Sequence, residues 1–298
     1  MSTTIIIPAR NELYLNETVD DLFKKAAGEI DVYVVLDDCW NLPLPADRPN
    51  LTLIHWGGRR GLRAAINAGA MIGRGDYIMK VDAHCLFDEG FDAKLAADCD
   101  SDWLVVPRRY SLEPEGWKIR EGRPVDDYEY LNFPYGPKSV KPALYGAVWD
   151  ERVRARADIP IDENMTFQGS LWFMPMRYFR DLIYPMSEIG YGTFIGESLE
   201  IGLKVWLSGG KCMVNKKTWY AHLWKGQDYR NKYMERYGVP YTRIGSTEYK
   251  NGLKFGGDFW LGNQWSDPRR IHDLAWLIER FWPVPTWPEE RELWKPWN

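Results

Sequence analysis

The sequence is poor in the residues that mark disulfide-bonded, metal-clustered or membrane-spanning proteins. It has only 4 cysteines and 4 histidines in 298 residues. The cysteines are Cys39, Cys85, Cys99 and Cys212. They form no Cys-x-x-Cys pair and no regular spacing, which favours free thiols in a reducing compartment over a disulfide framework. Apolar runs are too short for a membrane span, and the first strand-like run begins close to Met1, so we expect a cytoplasmic protein without a signal peptide.

Charge of either sign is also not in large excess. The 38 Lys and Arg residues face 42 Asp and Glu residues, for a net charge of −4. This balance gives no general electrostatic reason to bind nucleic acid or an anionic membrane. Local basic clusters remain, and among them the positions of Arg60 and Arg63 fit a solvated helix face. The hydrophobic fraction of 45% is that of an ordinary globular protein, not a disordered chain.

One stretch, residues 59–91, carries the clearest pattern in the chain. Small and apolar residues recur with helical spacing, two glycines follow, and Tyr77–Val81 is a β-branched and aromatic run that predicts a buried strand. Asp82-Ala-His84 comes at the end of that strand. Because residues i and i+2 of an extended segment project to the same side, Asp82 and His84 can share one divalent cation. Manganese suits this pair better than calcium, and the alternative is an ordinary hydrogen-bonding histidine.

The order of the predicted elements indicates an α/β architecture. Strand-like and helix-like runs alternate over residues 1–107, which we interpret as a nucleotide-binding half. The second strand ends in Asp37-Asp38, and ligands of open α/β sheets bind beyond the carboxyl ends of the strands. The alternative for this pair is a turn or a helix cap. The predicted strands are Thr3–Ile7, Asp31–Leu36, Leu51–His55, Tyr77–Val81, Trp103–Pro107 and Lys211–Asn215, and a short helix is predicted at Phe91–Ala97.

Residues 108–165 lack sustained periodicity and are interpreted as an insertion. Arg152, Arg154 and Arg156 alternate with other residues, so an extended conformation would direct them to one side, either as surface residues or as an acceptor or phosphate contact. The aromatic residues of the insertion either line an acceptor groove or hold the segment on the core. They are Tyr128, Tyr130, Phe133, Tyr135, Tyr145 and Trp149.

Residues 166–226 are interpreted as the second half of the catalytic domain. Glu197 precedes an apolar helical pattern, so we expect it in the first turn of a helix, facing the crevice. Glu200 and Lys204 lie one turn apart on that helix and are expected to pair. An acid in the first turn also has a purely local explanation, because it interacts favourably with the helix dipole.

Residues 227–298 follow as a lid and a C-terminal extension. The polar segment 226–250 is expected to close over a donor, and Asp267–Trp297 is predicted to hold one amphipathic helix and a Pro/Trp-rich end. His55 and His272 match no ligand pattern and are expected to be structural. The tryptophans of this region either pack on the catalytic domain or mediate a homodimer: Trp260, Trp265, Trp276, Trp282, Trp287, Trp294 and Trp297.

Several motifs, in this order along the chain, resemble one known family. They are Arg59-x-Gly61-Leu, Asp82-Ala-His84-Cys, Phe167-Gln-Gly-Ser, Gly196-Glu-Ser-Leu-Glu-Ile and the segment around His222. Together they resemble the catalytic domain of the polypeptide N-acetylgalactosaminyltransferases, a branch of the GT-A glycosyltransferases related to glycosyltransferase family 2. The resemblance implies a GT-A fold, with a Rossmann-like nucleotide-binding half and a mixed central sheet. It covers a single catalytic domain, 1–226, before a helical, Trp-rich C-terminal extension.

The resemblance also implies roles for the matched residues. Asp82, His84 and His222 match the metal ligands, for Mn2+ or Mg2+. Glu197 matches the acid that contacts the donor sugar and joins Asp82 as an expected catalytic residue. Beside it, Phe194 and Ile195 replace the family's Trp-Gly, so the donor sugar need not be N-acetylgalactosamine. The implied nucleotide-binding positions are Asp38, Arg59, Gly61, Glu12 and Pro8, the last of which stands where the family has Thr.

These expectations combine into a metal-dependent glycosyltransferase that moves a sugar from a UDP-sugar to a hydroxyl acceptor. The resemblance implies retention of anomeric configuration and favours a Ser or Thr hydroxyl of a protein. A glycan or a hydroxymethylated base of DNA are alternative acceptors. A sugar-phosphate nucleotidyltransferase and an inactive transferase-fold binding protein are alternatives from other classes. Family members are usually anchored in the Golgi membrane, so the expected cytoplasmic location indicates a bacterial or phage-encoded relative.

Overall fold

The computed structural model of the chain describes residues 1–135, 143–192, 194–239, 241 and 246–294. Part of the predicted lid, residues 226–250, lies outside the described residues, and so does Trp297. Within them, none of the helices is both long enough and apolar enough to cross a membrane. All four cysteines are free thiols, as the sequence predicts.

Strands and helices alternate along the first half of the chain and become less regular in the second. The strands are β1 (Ser2–Ala9), β2 (Glu29–Asp37), β3 (Leu51–Trp56), β4 (Tyr77–Val81), β5 (Cys85–Phe87), β6 (Trp103–Glu113), β7 (Lys118–Ile119), β8 (Glu129–Leu131), β9 (Gly146–Val148), β10 (Ile161–Glu163), β11 (Leu171–Pro175) and β12 (Lys211–His222). The helices are α1 (Leu15–Lys25), α2 (Leu62–Ile72), α3 (Phe91–Ala97), α4 (Asp150–Ala155), α5 (Met176–Leu182), α6 (Glu197–Leu207), α7 (Gln227–Tyr237), α8 (Ser246–Leu261) and α9 (Leu274–Arg280).

A mixed sheet forms the centre of the molecule, in the order β10-β12-β6-β11-β4-β1-β2-β3. Strands β4, β1, β2 and β3 pair in parallel, which is the Rossmann-like half predicted from the sequence. Strand β11 runs antiparallel to β4 and joins this half to β6 and β12. The α/β class with a mixed central sheet is therefore confirmed.

Strand β1 carries apolar side chains on both of its faces, which explains why helices cover both faces of the sheet. Ile5 and Ile7 pack into a cluster with residues of α1 and α3, whereas Ile6 packs into a cluster with residues of α2, α5 and α6. All three isoleucines have no solvent exposure. Successive strand residues point to opposite faces, so a continuous apolar run buries both sides.

Two predicted elements, Tyr77–Val81 and Phe91–Ala97, are correct to the residue. Three predicted strands are one to three residues short, and two are much shorter than observed. Strand β6 runs on to Glu113, and β12 runs past Asn215 to His222, because the two strands pair in parallel on both sides of an irregularity between Asn215 and Trp219. This long pairing places the end of β12 at the edge of the sheet where β4 also ends.

The prediction that three arginines of the insertion face one way in an extended segment is wrong. Residues 150–155 form helix α4, and helical positions two apart point in different directions. Arg156 donates a hydrogen bond of 2.7 Å to the Asp162 carboxylate, and Arg152 lies 3.8 Å from the same carboxylate. Arg154 is 70% exposed. Ion pairs with Asp162 and exposure to solvent therefore account for these three arginines, and an acceptor contact is not needed to explain them.

Arg63 does not lie on a solvated helix face. It is buried, donates to the Ile195 carbonyl at 3.0 Å, and forms an ion pair with Glu200. Glu200 also accepts from Lys204 at 2.7 Å, as predicted. Arg60 is exposed, in agreement with the sequence pattern, and its guanidinium lies over the Trp56 ring. Helix α2 is thus tied to α6 through a buried ion pair.

The amphipathic helix predicted within Asp267–Trp297 is present, and the Pro/Trp-rich segment follows it as predicted. Helix α9 covers only Leu274–Arg280, and a short 3-10 turn covers Arg291–Trp294. Asp273 begins α9 by accepting a hydrogen bond from a backbone N–H of the first turn at 2.8 Å. Prolines from Pro283 onward end it, because proline lacks the N–H that a helix needs and disfavours helical conformation in the residue before it.

Aromatic residues in the last third of the chain pack into an apolar cluster that also holds residues of the central sheet and of α6. Trp260, Trp265, Trp287 and Trp294 are buried in the same cluster as residues of α6 and α9, which supports packing over dimerisation for these four. In the insertion, the buried aromatics Tyr128, Tyr130, Phe133 and Trp149 belong to that cluster as well. Tyr135 is 57% exposed, and Tyr145 lines a cavity next to the first turn of α6.

Candidate active site

Three predicted metal-ligand residues meet at one edge of the central sheet. Asp82 directly follows β4 and is fixed by its backbone N–H, which donates to the Ser170 carbonyl at 2.8 Å. His84 directly precedes β5. His222 ends β12, where it pairs opposite Cys85 of β5. The pairing of β5 with β12 therefore brings the two histidines together, although they lie far apart in the sequence.

The geometry of this group would allow it to hold one metal ion. One ligand atom from each of Asp82, His84 and His222 lies within 4.8 Å of the others. The Asp82 carboxylate is 3.2 Å from Nε2 of His222 and 3.8 Å from Nε2 of His84. One carboxylate and two imidazoles suit a borderline divalent cation and leave coordination positions for phosphate or water oxygens. The donor set therefore fits Mn2+ better than Mg2+, which prefers oxygen ligands.

Protonation states in this cluster are those that metal ligands require. Burial, together with the nearby His84, lowers the pKa of His222 to about 4, so its imidazole is neutral at pH 7. Burial opposes ionisation of Asp82, but the Lys80 ammonium and the hydrogen bond with His222 together outweigh it, so the pKa of that carboxyl lies well below its usual range. A deprotonated carboxylate and a neutral imidazole are the forms that bind metal ions.

Glu12 orients one of the histidines. Its Oε2 lies 3.2 Å from Nδ1 of His84 and accepts a further hydrogen bond from the Tyr229 hydroxyl at 3.2 Å, and Lys225 donates to Oε1 at 2.7 Å. Burial alone would raise the pKa of Glu12, but Lys225 and His84 lower it to about 2. A carboxylate on Nδ1 directs Nε2 toward the Asp82 side, the arrangement common among metal-binding histidines. The carboxylate of Glu12 thus contacts His84, whereas the family resemblance implied a nucleotide contact.

Lys80 is a site residue that the sequence patterns did not single out. Its ammonium donates to Asp82 and to the Gly169 carbonyl, each at 2.5 Å, and lies 3.5 Å from Oε1 of Glu197. The side chain is 2% exposed. A lysine in an otherwise apolar strand, two residues before Asp82 and on the same side of that strand, was the available signal.

Glu197 occupies the first residue of α6, as predicted, and is 4% exposed. The Trp172 indole N–H donates to its Oε1 at 2.8 Å. Burial raises the pKa of Glu197, although Lys80 and Trp172 act in the opposite direction. Lys80 therefore links Glu197 to the metal-ligand residue Asp82 in one buried polar network.

The expected nucleotide-binding residues lie near the carboxyl ends of β1 and β2. Asp37 is structural, because its carboxylate accepts from the backbone N–H groups of Arg60 at 2.7 Å and Gly61 at 2.9 Å. Asp38 is exposed and lies 3.3 Å from Arg10. The remaining positions are also near this edge: Pro8 is half-buried in β1, and Arg59 lies 3.4 Å from Glu248 of α8.

The two other histidines have structural contacts, as expected. His55 stacks on Trp40 with ring centroids 3.7 Å apart, and His272 stacks on Trp276 at 3.6 Å. Both lie outside the described metal-ligand cluster.

Comparison with known sequences identifies the family. The profile described as glycosyl transferase family 2 matches residues 4–159, slightly more than half of the chain. The chain belongs to glycosyltransferase family 2. Human polypeptide N-acetylgalactosaminyltransferase 12 is 26% identical over 265 residues, which cover 82% of this chain and 43% of that protein. Human polypeptide N-acetylgalactosaminyltransferase 10 is 24% identical over 281 residues, covering 87% and 42%. This family 2 chain spans less than half the length of these relatives.

Comparison with solved structures supports the fold of this family 2 chain. A crystal structure of GalNAc-T7 with UDP, GalNAc and Mn2+ superposes with a TM-score of 0.60 and 17% identity, covering 94% of this chain and 56% of that one. The crystal structure of TarS from S. aureus superposes with a TM-score of 0.50 and 14% identity, covering 99% of this chain and 50% of the other. The GT-A fold predicted from the motifs is confirmed.

Proposed function

We propose that this glycosyltransferase transfers a sugar from a UDP-sugar to a hydroxyl acceptor, with Mn2+ or Mg2+ bound by Asp82, His84 and His222. The observation that carries the proposal is the convergence of these three side chains at the carboxyl edge of the sheet. A solved relative of the same fold was crystallised with UDP, GalNAc and Mn2+, which supports the choice of nucleotide and metal.

Each part of the site has a chemical task in this reaction. A divalent cation, when bound, offsets the negative charge that develops on the departing diphosphate. Glu12 fixes the orientation of His84, so that its Nε2 is available to the metal. Lys80 holds the Asp82 and Glu197 carboxylates in place. Glu197 then positions the donor sugar by accepting hydrogen bonds from it.

Asp38 and Arg59 are assigned to the nucleotide. Both are exposed at the edge of the sheet where β2 ends and α2 begins, the usual place for a nucleotide in an open α/β sheet. Gly61 has a φ of 90°, a conformation that glycine adopts readily, and its backbone N–H donates to the Asp37 carboxylate. A glycine here allows the backbone of 59–61 to approach a ligand closely. Pro8 and Glu12 lie at the neighbouring end of β1.

The proposed acceptor is a Ser or Thr hydroxyl of a polypeptide, with retention of anomeric configuration. The similarity to proteins named polypeptide N-acetylgalactosaminyltransferases supports this choice over a glycan or a modified DNA base. The near-balanced charge of the chain also gives no electrostatic support to a DNA acceptor. The donor sugar itself stays open, because Phe194 and Ile195 replace the family's Trp-Gly beside Glu197.

The experiment that tests the proposal is a measurement of UDP release from a panel of UDP-sugars, with and without Mn2+. We expect metal-dependent release from one or a few sugars by the wild type, and loss of release in His222→Ala. His272→Ala is the matched control, because it removes an imidazole that stacks on Trp276 outside the site. Equal release with and without metal, or full activity of His222→Ala, would refute the metal-dependent mechanism.

A further inference from the structure

The segment that joins α5 to α6 is tied at both ends to helix α2. Near its beginning, Asn67 of α2 donates to the Met186 carbonyl at 2.9 Å and accepts from the Met186 N–H at 2.8 Å. Arg63, one turn earlier on α2, donates to the Ser187 carbonyl and to the Ile195 carbonyl, each at 3.0 Å. Because the segment leads directly into α6, these hydrogen bonds hold the approach to the candidate active site.

Tyr191 lies within this segment and is 2% exposed. The Arg63 guanidinium lies over its ring, 3.9 Å from the centroid. Nη2 of Arg63 is buried and has no hydrogen-bond partner in the part of the chain that the structure describes, so the electron-rich face of the Tyr191 ring supplies its favourable contact. Helix α8 adds two contacts: the Trp260 indole N–H donates to the Tyr191 hydroxyl at 2.8 Å, and the Phe255 ring meets the Tyr191 ring edge-on. Tyr191 therefore joins α2 to α8.

Glycines allow the backbone to approach Tyr191 closely. A Cβ at Gly252 of α8 would collide with the Tyr191 carbonyl, and a Cβ at Gly256 would lie 3.0 Å from the Tyr191 ring. Gly196 has a φ of 70°, and a Cβ there would lie 2.6 Å from the same ring. Because Gly196 immediately precedes Glu197, the Tyr191 ring packs against the backbone at which α6 begins.

We propose that Tyr191 is a positioning residue for donor binding. Held between Arg63 of α2 and helix α8, Tyr191 fixes the start of α6 and with it the Glu197 carboxylate. The Trp172 indole N–H holds that carboxylate at 2.8 Å, and Tyr191 fixes the backbone behind it. This role rests on the proposed function, in which Glu197 contacts the donor sugar. Helix α8 of the C-terminal extension thereby contributes to donor binding through Tyr191.

The first test compares Tyr191→Leu, which removes the ring, with Tyr191→Phe, which keeps the ring and loses only the hydroxyl bonded to Trp260. Tyr77→Leu is the matched control, because Tyr77 stacks on Phe173 at the amino end of β4, the end opposite Asp82. Calorimetry with Mn2+ present measures the Kd of each protein for UDP and for UDP-glucose, UDP-galactose, UDP-GlcNAc and UDP-GalNAc. The ratio of the UDP-sugar Kd to the UDP Kd isolates the contribution of the sugar.

Tyr191→Leu is expected to raise this ratio about 10-fold for the sugar that the wild type prefers, the effect of a weakened hydrogen bond to a charged group. The Kd for UDP itself should change less than about 2-fold, as should the ratio in Tyr77→Leu, because both concern groups distant from the change. Tyr191→Phe should restore the ratio to within about 3-fold of the wild-type value. Glu197→Gln should also raise the ratio, and adding Tyr191→Leu to it should raise the ratio no further, because Tyr191 acts through Glu197.

A pair of glycine variants in α8 tests the same contact without altering Tyr191. Gly252→Ala places a Cβ against the Tyr191 carbonyl, so the segment must shift and the ratio should rise. Gly257→Ala adds the same methyl group 3.8 Å from the Leu144 backbone nitrogen, an ordinary van der Waals contact, and should leave the ratio unchanged. This pair keeps the role testable if Tyr191→Leu fails to fold, and circular dichroism checks the folding of each variant.

Three results would overturn the role of Tyr191 while leaving the proposed function intact. The first is normal UDP binding with an unchanged ratio in both Tyr191→Leu and Gly252→Ala. The second is a loss of affinity for UDP and UDP-sugars in equal proportion, which would indicate general structural damage. The third is an additive loss in the double variant, which would show that Tyr191 does not act through Glu197. Absence of Mn2+-dependent UDP binding by the wild type would instead refute the proposed function itself.

Discussion

Oε2 of Glu12 lies 3.2 Å from Nδ1 of His84, although 72 residues separate the two in the sequence. Glu12 comes from the loop after β1, and His84 from the turn between β4 and β5. Because β1 and β4 are parallel neighbours, their carboxyl ends lie side by side, and the two residues meet there. This contact fixes the ring of one predicted metal ligand before any metal is bound.

We predict that Glu12→Ala lowers the affinity for Mn2+ about 10- to 100-fold, because loss of the carboxylate frees the His84 ring to rotate and lowers its basicity. Calorimetric titration of Mn2+ in the presence of UDP measures this change. Tyr229→Phe removes only the hydroxyl that donates to Glu12 and is expected to change the Mn2+ affinity less than about 3-fold. Wild-type affinity in Glu12→Ala would show that Glu12 does not position His84.

Lys80→Met is expected to lower the free energy of unfolding by about 3–5 kcal/mol, because it leaves two carboxylates of the buried network without their shared cation. Urea denaturation followed by circular dichroism measures the loss. The double variant Lys80→Met/Glu197→Gln removes one of those carboxylates, so it is expected to be more stable than Lys80→Met alone. A loss below about 1 kcal/mol in the single variant would mean that Lys80 contributes little to the network.

Glu129 predicts a specific dependence of stability on pH. Because burial raises its pKa from 4.5 to about 7 in the folded protein, the folded state holds a proton that the unfolded state releases. Its stabilising contribution is present below pH 4.5 and is lost as the pH rises through 7. The free energy of unfolding of the wild type, relative to Glu129→Gln, should therefore fall between pH 5 and pH 7.5. Urea denaturation over this range tests it, and a constant difference would contradict the raised pKa.

The packing of the C-terminal extension on the catalytic half predicts a contrast between two leucines. Leu277 of α9 has no solvent exposure, and Leu277→Ala is expected to lower the free energy of unfolding by about 2–5 kcal/mol. Leu293 is 44% exposed, so Leu293→Ala should change it by less than about 0.5 kcal/mol. Equal effects in chemical denaturation would argue that α9 does not belong to the core.

Local patterns of the sequence predicted those residues of the candidate site that are close together in the chain. Asp82 and His84 were predicted as residues i and i+2 of an extended segment. In the structure both lie in the turn that joins β4 to β5, and their side chains still come together. His222 is 140 residues from Asp82, and only the family resemblance indicated it, since no local pattern reports the pairing of β5 with β12. Lys80 was missed because two of its partners, Gly169 and Glu197, come from other elements.

The difference between local patterns and contacts between distant residues also explains the errors in the predicted fold. Apolar periodicity predicted the strands and helices of the first half, where each element buries a continuous apolar face. The extended conformation assigned to 152–156 was wrong because a short helix leaves few periods to detect. The C-terminal amphipathic helix was predicted because its apolar residues recur with helical spacing and prolines from Pro283 onward mark its end. Arg63 was assigned to solvent because its buried partner, Glu200, is 137 residues away.

The most direct test of the account is calorimetric titration of UDP into the wild type and His222→Ala, each with and without Mn2+, with His272→Ala as the control. The account predicts UDP binding that requires Mn2+ in the wild type and in His272→Ala, and affinity reduced at least about 100-fold in His222→Ala. UDP binding of equal strength without metal, or wild-type binding by His222→Ala, would contradict the metal centre formed by Asp82, His84 and His222.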